Sequence, residues 1–113
     1  MQVIFESRDA DGAHMRDLSV ERVHFALRRL AARVPHAKLQ FSDVNGPRGG
    51  VDKRCQVELK TDIAGTVVIA SLARDWRTAL DRSLARAIKV VTRGLQRAQK
   101  PARGRTAKLA LDS

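Results

Sequence analysis

Apolar residues recur along this chain with two periods, and the switches between them mark out the elements. Over residues 75–100, Trp76, Leu80, Leu84, Ala87, Val91 and Leu95 follow at steps of three and four, which lines one side of an α-helix. The pattern predicts one long helix with Asp75 as its cap. Val20, Val23, Leu27, Leu30 and Val34 repeat those steps, predicting an earlier helix that starts at Asp17 or Ser19 and ends near Pro35. Elsewhere the period is two. Residues 37–42 alternate without a slip, and residues 54–60 put Cys55, Val57 and Leu59 on one side, with Arg54, Gln56, Glu58 and Lys60 on the other. Both segments read as half-buried strands. Gln2–Ser7, with Val3 and Phe5 on one side, and the β-branched residues 66–70 supply two more. Residues 8–12, 45–52 and 61–65 read as turns.

The order strand, helix, three strands, helix predicts an α+β fold. A right-handed crossover makes the first strand pair parallel, and hairpins make the later pairs antiparallel. The result is a β-α-β-β-β-α two-layer sandwich, a four-stranded mixed sheet with both helices on one face. A chain of 113 residues supports one such unit, assigned to residues 1–100. Residues 101–113 open with Pro101, lack apolar periodicity and read as a basic disordered tail.

Charge adds the next step. The net charge is +10; residues 1–74 hold 12 cations and 9 anions, whereas residues 75–113 hold 10 and 3. On the long helix Arg82, Arg86, Lys89, Arg93, Arg97 and Lys100 fall within a stripe roughly 80° wide, opposite the apolar residues and without an acid. An ordinary solvated helix face mixes signs, because oppositely charged residues one turn apart attract and like charges repel. Arg22, Arg29 and Arg33 form a second cationic row on the first helix. Such a surplus gathered on few elements is the footprint of a polyanion binder, and phosphate is the commonest intracellular polyanion. Arg48, Lys53 and Arg54, around the glycine-rich hairpin, are weaker candidates. Phe25 falls off the apolar seam and reads as a contact to a neighbouring loop rather than a platform for a base.

Other chemistry is poorly supplied. His14, His24 and His36 are scattered, no nucleophile sits near a base, and one cysteine with no histidine cluster makes neither a catalytic nor a zinc site. The hairpin Asn45-Gly46-Pro47-Arg48-Gly49-Gly50-Val51-Asp52 lacks the closing Gly-Lys-Ser/Thr of a nucleotide loop and precedes a strand. No enzyme activity, cofactor or metal is expected. The lone Cys55, read as a small core residue, suits a reducing cytoplasm, as does an N-terminus without a secretory signal. No run of about 18 apolar residues exists to span a membrane, and a membrane-surface role would need the apolar side that the sheet requires.

Two stretches carry a resemblance. Asn45-Gly46-Pro47-Arg48-Gly49-Gly50-Val51-Asp52-Lys53-Arg54-Cys55 is similar to the second hairpin of short members of the ribosome hibernation-promoting factor family, also called ribosome-associated inhibitor or sigma-modulation proteins. Ala79-Leu80-Asp81-Arg82 resembles the Ala-Ile-Asp type motif that opens that family's second helix, with Trp76 where an aromatic is common. The resemblance covers about residues 1–100. It implies binding to the small ribosomal subunit and its rRNA between head and body, across the mRNA and tRNA paths, so that ribosomes are held idle under stress. The rRNA contacts it implies fall on Arg22 and Arg29 of the first helix and on Arg82, Arg86, Lys89, Arg93 and Arg97 of the second. Long members add a domain that pairs ribosomes; a chain ending at Ser113 has no room for it, so dimerisation by this protein alone is not expected. No membrane or small-molecule partner is expected, and the protein is expected to be monomeric off the ribosome. The competing reading is a general RNA- or DNA-binding protein with no ribosomal address, for which the same cationic surface suffices.

Overall fold

Alternation in the strands decides how the layers meet. The computed structural model describes residues 1–44, 52–62 and 64–98. Strands β1 (Gln2–Ser7), β2 (His36–Asp43), β3 (Lys53–Lys60) and β4 (Thr66–Ala73) form one sheet in that spatial order. β1 runs parallel to β2, whereas β2 with β3 and β3 with β4 are antiparallel. One face of the sheet carries Ala37, Leu39, Phe41, Cys55, Val57, Leu59 and Val67, all buried. The other face carries Lys38, Gln40, Ser42, Arg54, Gln56 and Glu58, each only half-buried. This is the predicted α+β two-layer sandwich, with the helices on the apolar side.

Helix α3 (Trp76–Ala98) lies across β3 and β4 and buries Trp76, Leu80, Leu84, Ala87, Val91 and Leu95, the residues its periodicity selects. Asp75 caps it: its Oδ1 accepts from the Thr78 amide at 2.7 Å and its Oδ2 from the Thr78 hydroxyl at 3.0 Å. The backbone hydrogen bond from Thr78, reinforced by that hydroxyl, holds the Asp75 carboxyl below its ordinary pKa. Ser83 Oγ donates to the Cys55 carbonyl at 2.9 Å and pins the helix to β3. Burial pushes the Cys55 thiol up to about 12, so it is a core side chain rather than a reactive one.

On β2, directly across from Cys55, Phe41 stacks on Trp76, with centroids 5.0 Å apart and rings 4° from parallel, while Phe5 meets Phe41 edge-on at 5.1 Å. Gly12 closes this aromatic group. A Cβ there would lie 2.6 Å from Ser7 Oγ and 3.2 Å from Trp76 Cζ2, so a side chain would push the chain off the rings. Gly65, at φ 80°, turns β3 into β4 in the left-handed region.

Four local expectations are corrected. Residues read as a simple turn contain a short helix, α1 (Ala10–Ala13), because Asp9 accepts from the Asp11 amide at 2.9 Å and acts as an N-cap. The next helix, α2 (Arg16–Ala26), begins after Met15 without a side-chain cap. Asp17 falls inside its first turn, and Ser19 is buried with its Oγ lacking a partner. α2 also stops well before Pro35. Leu27 leaves helical geometry at φ −102°, ψ 12°, Arg28 Nη1 caps the Phe25 carbonyl at 2.8 Å, and one 3₁₀ turn spans Ala31–Arg33. Leu27 and Val34, on either side of this turn, are both buried. β4 is longer than expected, running on to Ala73.

Candidate nucleic-acid interface

Because α3 presses its apolar side to the sheet, Arg82, Arg86, Lys89, Arg93 and Arg97 are all exposed. None of the five makes an ion pair with the described residues. The first two are nevertheless held. Arg82 Nη1 donates to the Leu72 carbonyl at 3.2 Å, and Arg86 Nη1 donates to the Ala70 carbonyl at 3.2 Å and to Ser71 Oγ at 3.3 Å. These acceptors are neutral, so they fix the guanidinium groups along the free edge of β4 without cancelling their charge. Arg97 also sits in the last turn of α3, where the helix dipole favours a cation. Lys100, Arg48 and the tail 101–113 lie outside the described residues.

The row expected on the first helix is arranged differently. Only Arg22 lies within α2; Arg29 falls in the turn after it and Arg33 in the 3₁₀ segment. Arg22 Nε contacts Asp81 Oδ1 of α3 at 2.8 Å, and Arg33 Nε contacts Asp62 Oδ2 at 2.8 Å. Two of the three cations therefore have a carboxylate against them, while Arg29 is exposed and makes no ion pair among the described residues. The α2 row and the α3 stripe are not one uniform cationic surface.

The weaker candidates also divide. Lys53 Nζ meets Asp43 Oδ2 at 2.6 Å and Asp52 Oδ1 at 3.6 Å, with the Trp76 ring 5.4 Å away. The hydrogen bond to Asp43, with the charges of Asp43, Asp52 and Asp9, raises its pKa against a smaller cost of burial. Lys53 is thus a structural cation that compensates the fully buried Asp52. Arg54 stands on the face away from the helices, opposite Leu72 on β4 and Ser42 on β2. Its Nη2 donates to Gln56 Oε1 at 2.9 Å, Gln56 to Gln40 at 3.2 Å, and Gln40 to Glu6 at 2.9 Å, a hydrogen-bonded ladder across the sheet.

Arg28 was not singled out by the sequence patterns. Its guanidinium lies 4.2 Å from the centroid of Phe25, which is 68% exposed. Phe25 thus contacts a cation, where a neighbouring loop was expected. The (i, i+3) spacing is the signal that could have found the pair. His14 caps α1, His24 lies on α2 and His36 opens β2. Among the described residues no group of His, Cys, Asp and Glu side chains is placed to hold a metal, and no helix is long and apolar enough to cross a membrane.

No protein-family model and no curated protein sequence matches the chain. Solved structures do match. A ribosomal subunit interface protein from Coxiella burnetii aligns with a TM-score of 0.64 at 15% identity, over 88% of this chain and 100% of that one. The N-terminal domain of Protein Y from Thermus thermophilus aligns with a TM-score of 0.57 at 21% identity, over 80% and 96%. The chain shares their fold. At such identities the likeness lies in the backbone, and what the surface binds has to be argued from this chain's own charges.

Proposed function

We propose that this chain is a ribosome-associated, non-enzymatic protein that binds rRNA of the small subunit through α3 and silences the ribosome by occupying its mRNA and tRNA channel. One observation carries the reading: five exposed cations on one helix face, none paired with a carboxylate among the described residues. Spreading like charge over an exposed helix is unfavourable unless a polyanion offsets it. The address comes from the fold, shared with a ribosomal subunit interface protein and with Protein Y, and from the hairpin and Ala79-Leu80-Asp81-Arg82 resemblance. A rigid domain that neutralises phosphates needs no chemistry, because occupancy alone blocks the channel. On this reading the protein works in the cytoplasm and is monomeric off the ribosome.

The rival is a general RNA or DNA binder, which the same helix face would serve. Co-sedimentation with purified small subunits, with tRNA and duplex DNA as competitors at two salt concentrations, separates the two. Displacement by tRNA but not by DNA is expected; equal displacement assigns the general binder. With about five phosphates neutralised, the binding constant should fall by roughly four decades per decade of monovalent salt.

A further inference from the structure

The free edge of β4 is not only capped by arginines; it forms one wall of a hollow. Arg54 reaches it from the open face of the sheet, and Arg82 and Arg86 from α3, so three guanidinium groups on two elements border one space of about 630 Å³. Among the described residues no carboxylate lines it. Ala70, Leu72 and Ala85 give it apolar walls, Leu72 being 43% exposed. It is a shallow space, widely open to solvent.

The three cations are held by neutral acceptors: the Leu72 and Ala70 carbonyls for Arg82 and Arg86, and the Gln56 side-chain oxygen for Arg54. Each guanidinium has five N–H donors and spends one or two, so the others remain for an anion. In an antiparallel edge strand the amide and carbonyl of one residue point the same way. The Ala70 and Leu72 amides therefore face the side on which their carbonyls meet the arginines. Charge and donors are set around an apolar wall. That combination suits one nucleotide of an unpaired strand, whose phosphate takes the guanidinium groups while its sugar and base cover Leu72 and Ala85. A duplex suits it less, since its bases are stacked away from such a wall.

We infer that the β4-edge hollow is a subsite for a single unpaired RNA nucleotide, with Arg54 as the phosphate-binding residue contributed by the sheet. The inference deepens the rRNA reading of α3 and rests on it for its ribosomal address. It moves Arg54 from the margin of the candidate set to its centre and gives Leu72, an apolar strand residue, a binding role.

Fluorescence anisotropy with the full chain tests it, using a short unstructured RNA and the same sequence as a duplex. The single strand is expected to bind more tightly. Arg54→Gln should weaken it about tenfold and lower the salt slope by about 0.7, with Arg54→Lys restoring the slope but only part of the affinity. Leu72→Ser should weaken it about fivefold with the slope unchanged. Lys60→Gln, on the same sheet face but outside the hollow, should change affinity by less than twofold. Circular dichroism confirms that each variant is folded. Unchanged single-strand binding in both Arg54→Gln and Leu72→Ser overturns the subsite, as does tighter binding of a phosphopeptide that displaces the RNA. If the subsite fails while the chain still sediments with small subunits, the ribosomal reading stands without it. If the variants behave as expected but the chain ignores subunits, the nucleotide site stands and the ribosomal address falls.

Discussion

α2 and α3 both carry arginines beside apolar residues, yet the two regions do different things with their charge. On α3 the cations meet carbonyl oxygens or solvent; on the α2 side Arg22 and Arg33 meet Asp81 and Asp62. A carbonyl positions a guanidinium and leaves its charge available, whereas a carboxylate cancels the charge and ties two elements together. Arg22 and Arg33 thus serve assembly: Arg22 links α2 to α3, and Arg33 links the 3₁₀ turn to the β3–β4 connection. Arg82 and Arg86 of α3 are positioned by neutral acceptors and keep their charge. A row of basic residues in a sequence is therefore not yet a binding surface; what each cation already touches decides it.

The sharpest way to break this contrast is to reverse charge on α3 alone. Arg86→Glu, Lys89→Glu and Arg93→Glu together should reduce small-subunit binding by more than a hundredfold at moderate salt, since three phosphate contacts are lost and three repulsions added. All three side chains are exposed, so the thermal midpoint should move by only a few degrees. Binding measured by co-sedimentation that survives the triple change would remove α3 from the interface.

A smaller effect separates the helices by packing. Leu80 is fully buried against the sheet, whereas Leu30, beyond the end of α2, is only partly buried. Leu80→Ala should cost about 2–5 kcal/mol in urea unfolding, and Leu30→Ala no more than about half as much. Equal costs would mean that the α2 side contributes as much to the core as α3 does.

The same difference explains what could be read from the chain before folding. The α3 stripe was legible because the helical period persists from Trp76 to Leu95 while the cations Arg82 to Arg97 recur on the opposite side, and strands β2 and β3 because their alternation never slips. The end of α2 was not. Leu27 to Leu30 is a step of three, and a 3₁₀ turn also returns to the same side after three residues, so periodicity cannot see the backbone change. α1 was hidden because a helix of one turn leaves no periodicity, only the cap Asp9. Nor were the ion pairs legible: Arg22 and Asp81 are 59 residues apart, and Arg33 and Asp62 are 29 apart. Arg54 was legible only as a weaker candidate beside the hairpin, because its place in the hollow depends on α3 passing beside β4.

The finest probe of the contrast releases a held cation rather than removing a free one. Asp81→Asn keeps the shape of the side chain but takes away the charge that neutralises Arg22, and Arg22 stands on the face of α2 next to α3. Both partners are over a third exposed, 37% and 41% of their side chains, so the lost attraction should cost no more than about 1 kcal/mol of stability. If Arg22 lies near enough to α3's cations to share their phosphate ligand, freeing it should tighten subunit binding severalfold and steepen the salt dependence by about one further contact. Arg22→Gln alone should leave binding within about twofold of the unmodified chain, because a neutralised cation contributes little to begin with. An unchanged slope in Asp81→Asn would show that the bound surface ends at α3 and that Arg22 acts only as a strut. A large loss in Arg22→Gln would show instead that the ion pair opens on binding, and the division between assembly and recognition cations would then fail at this position.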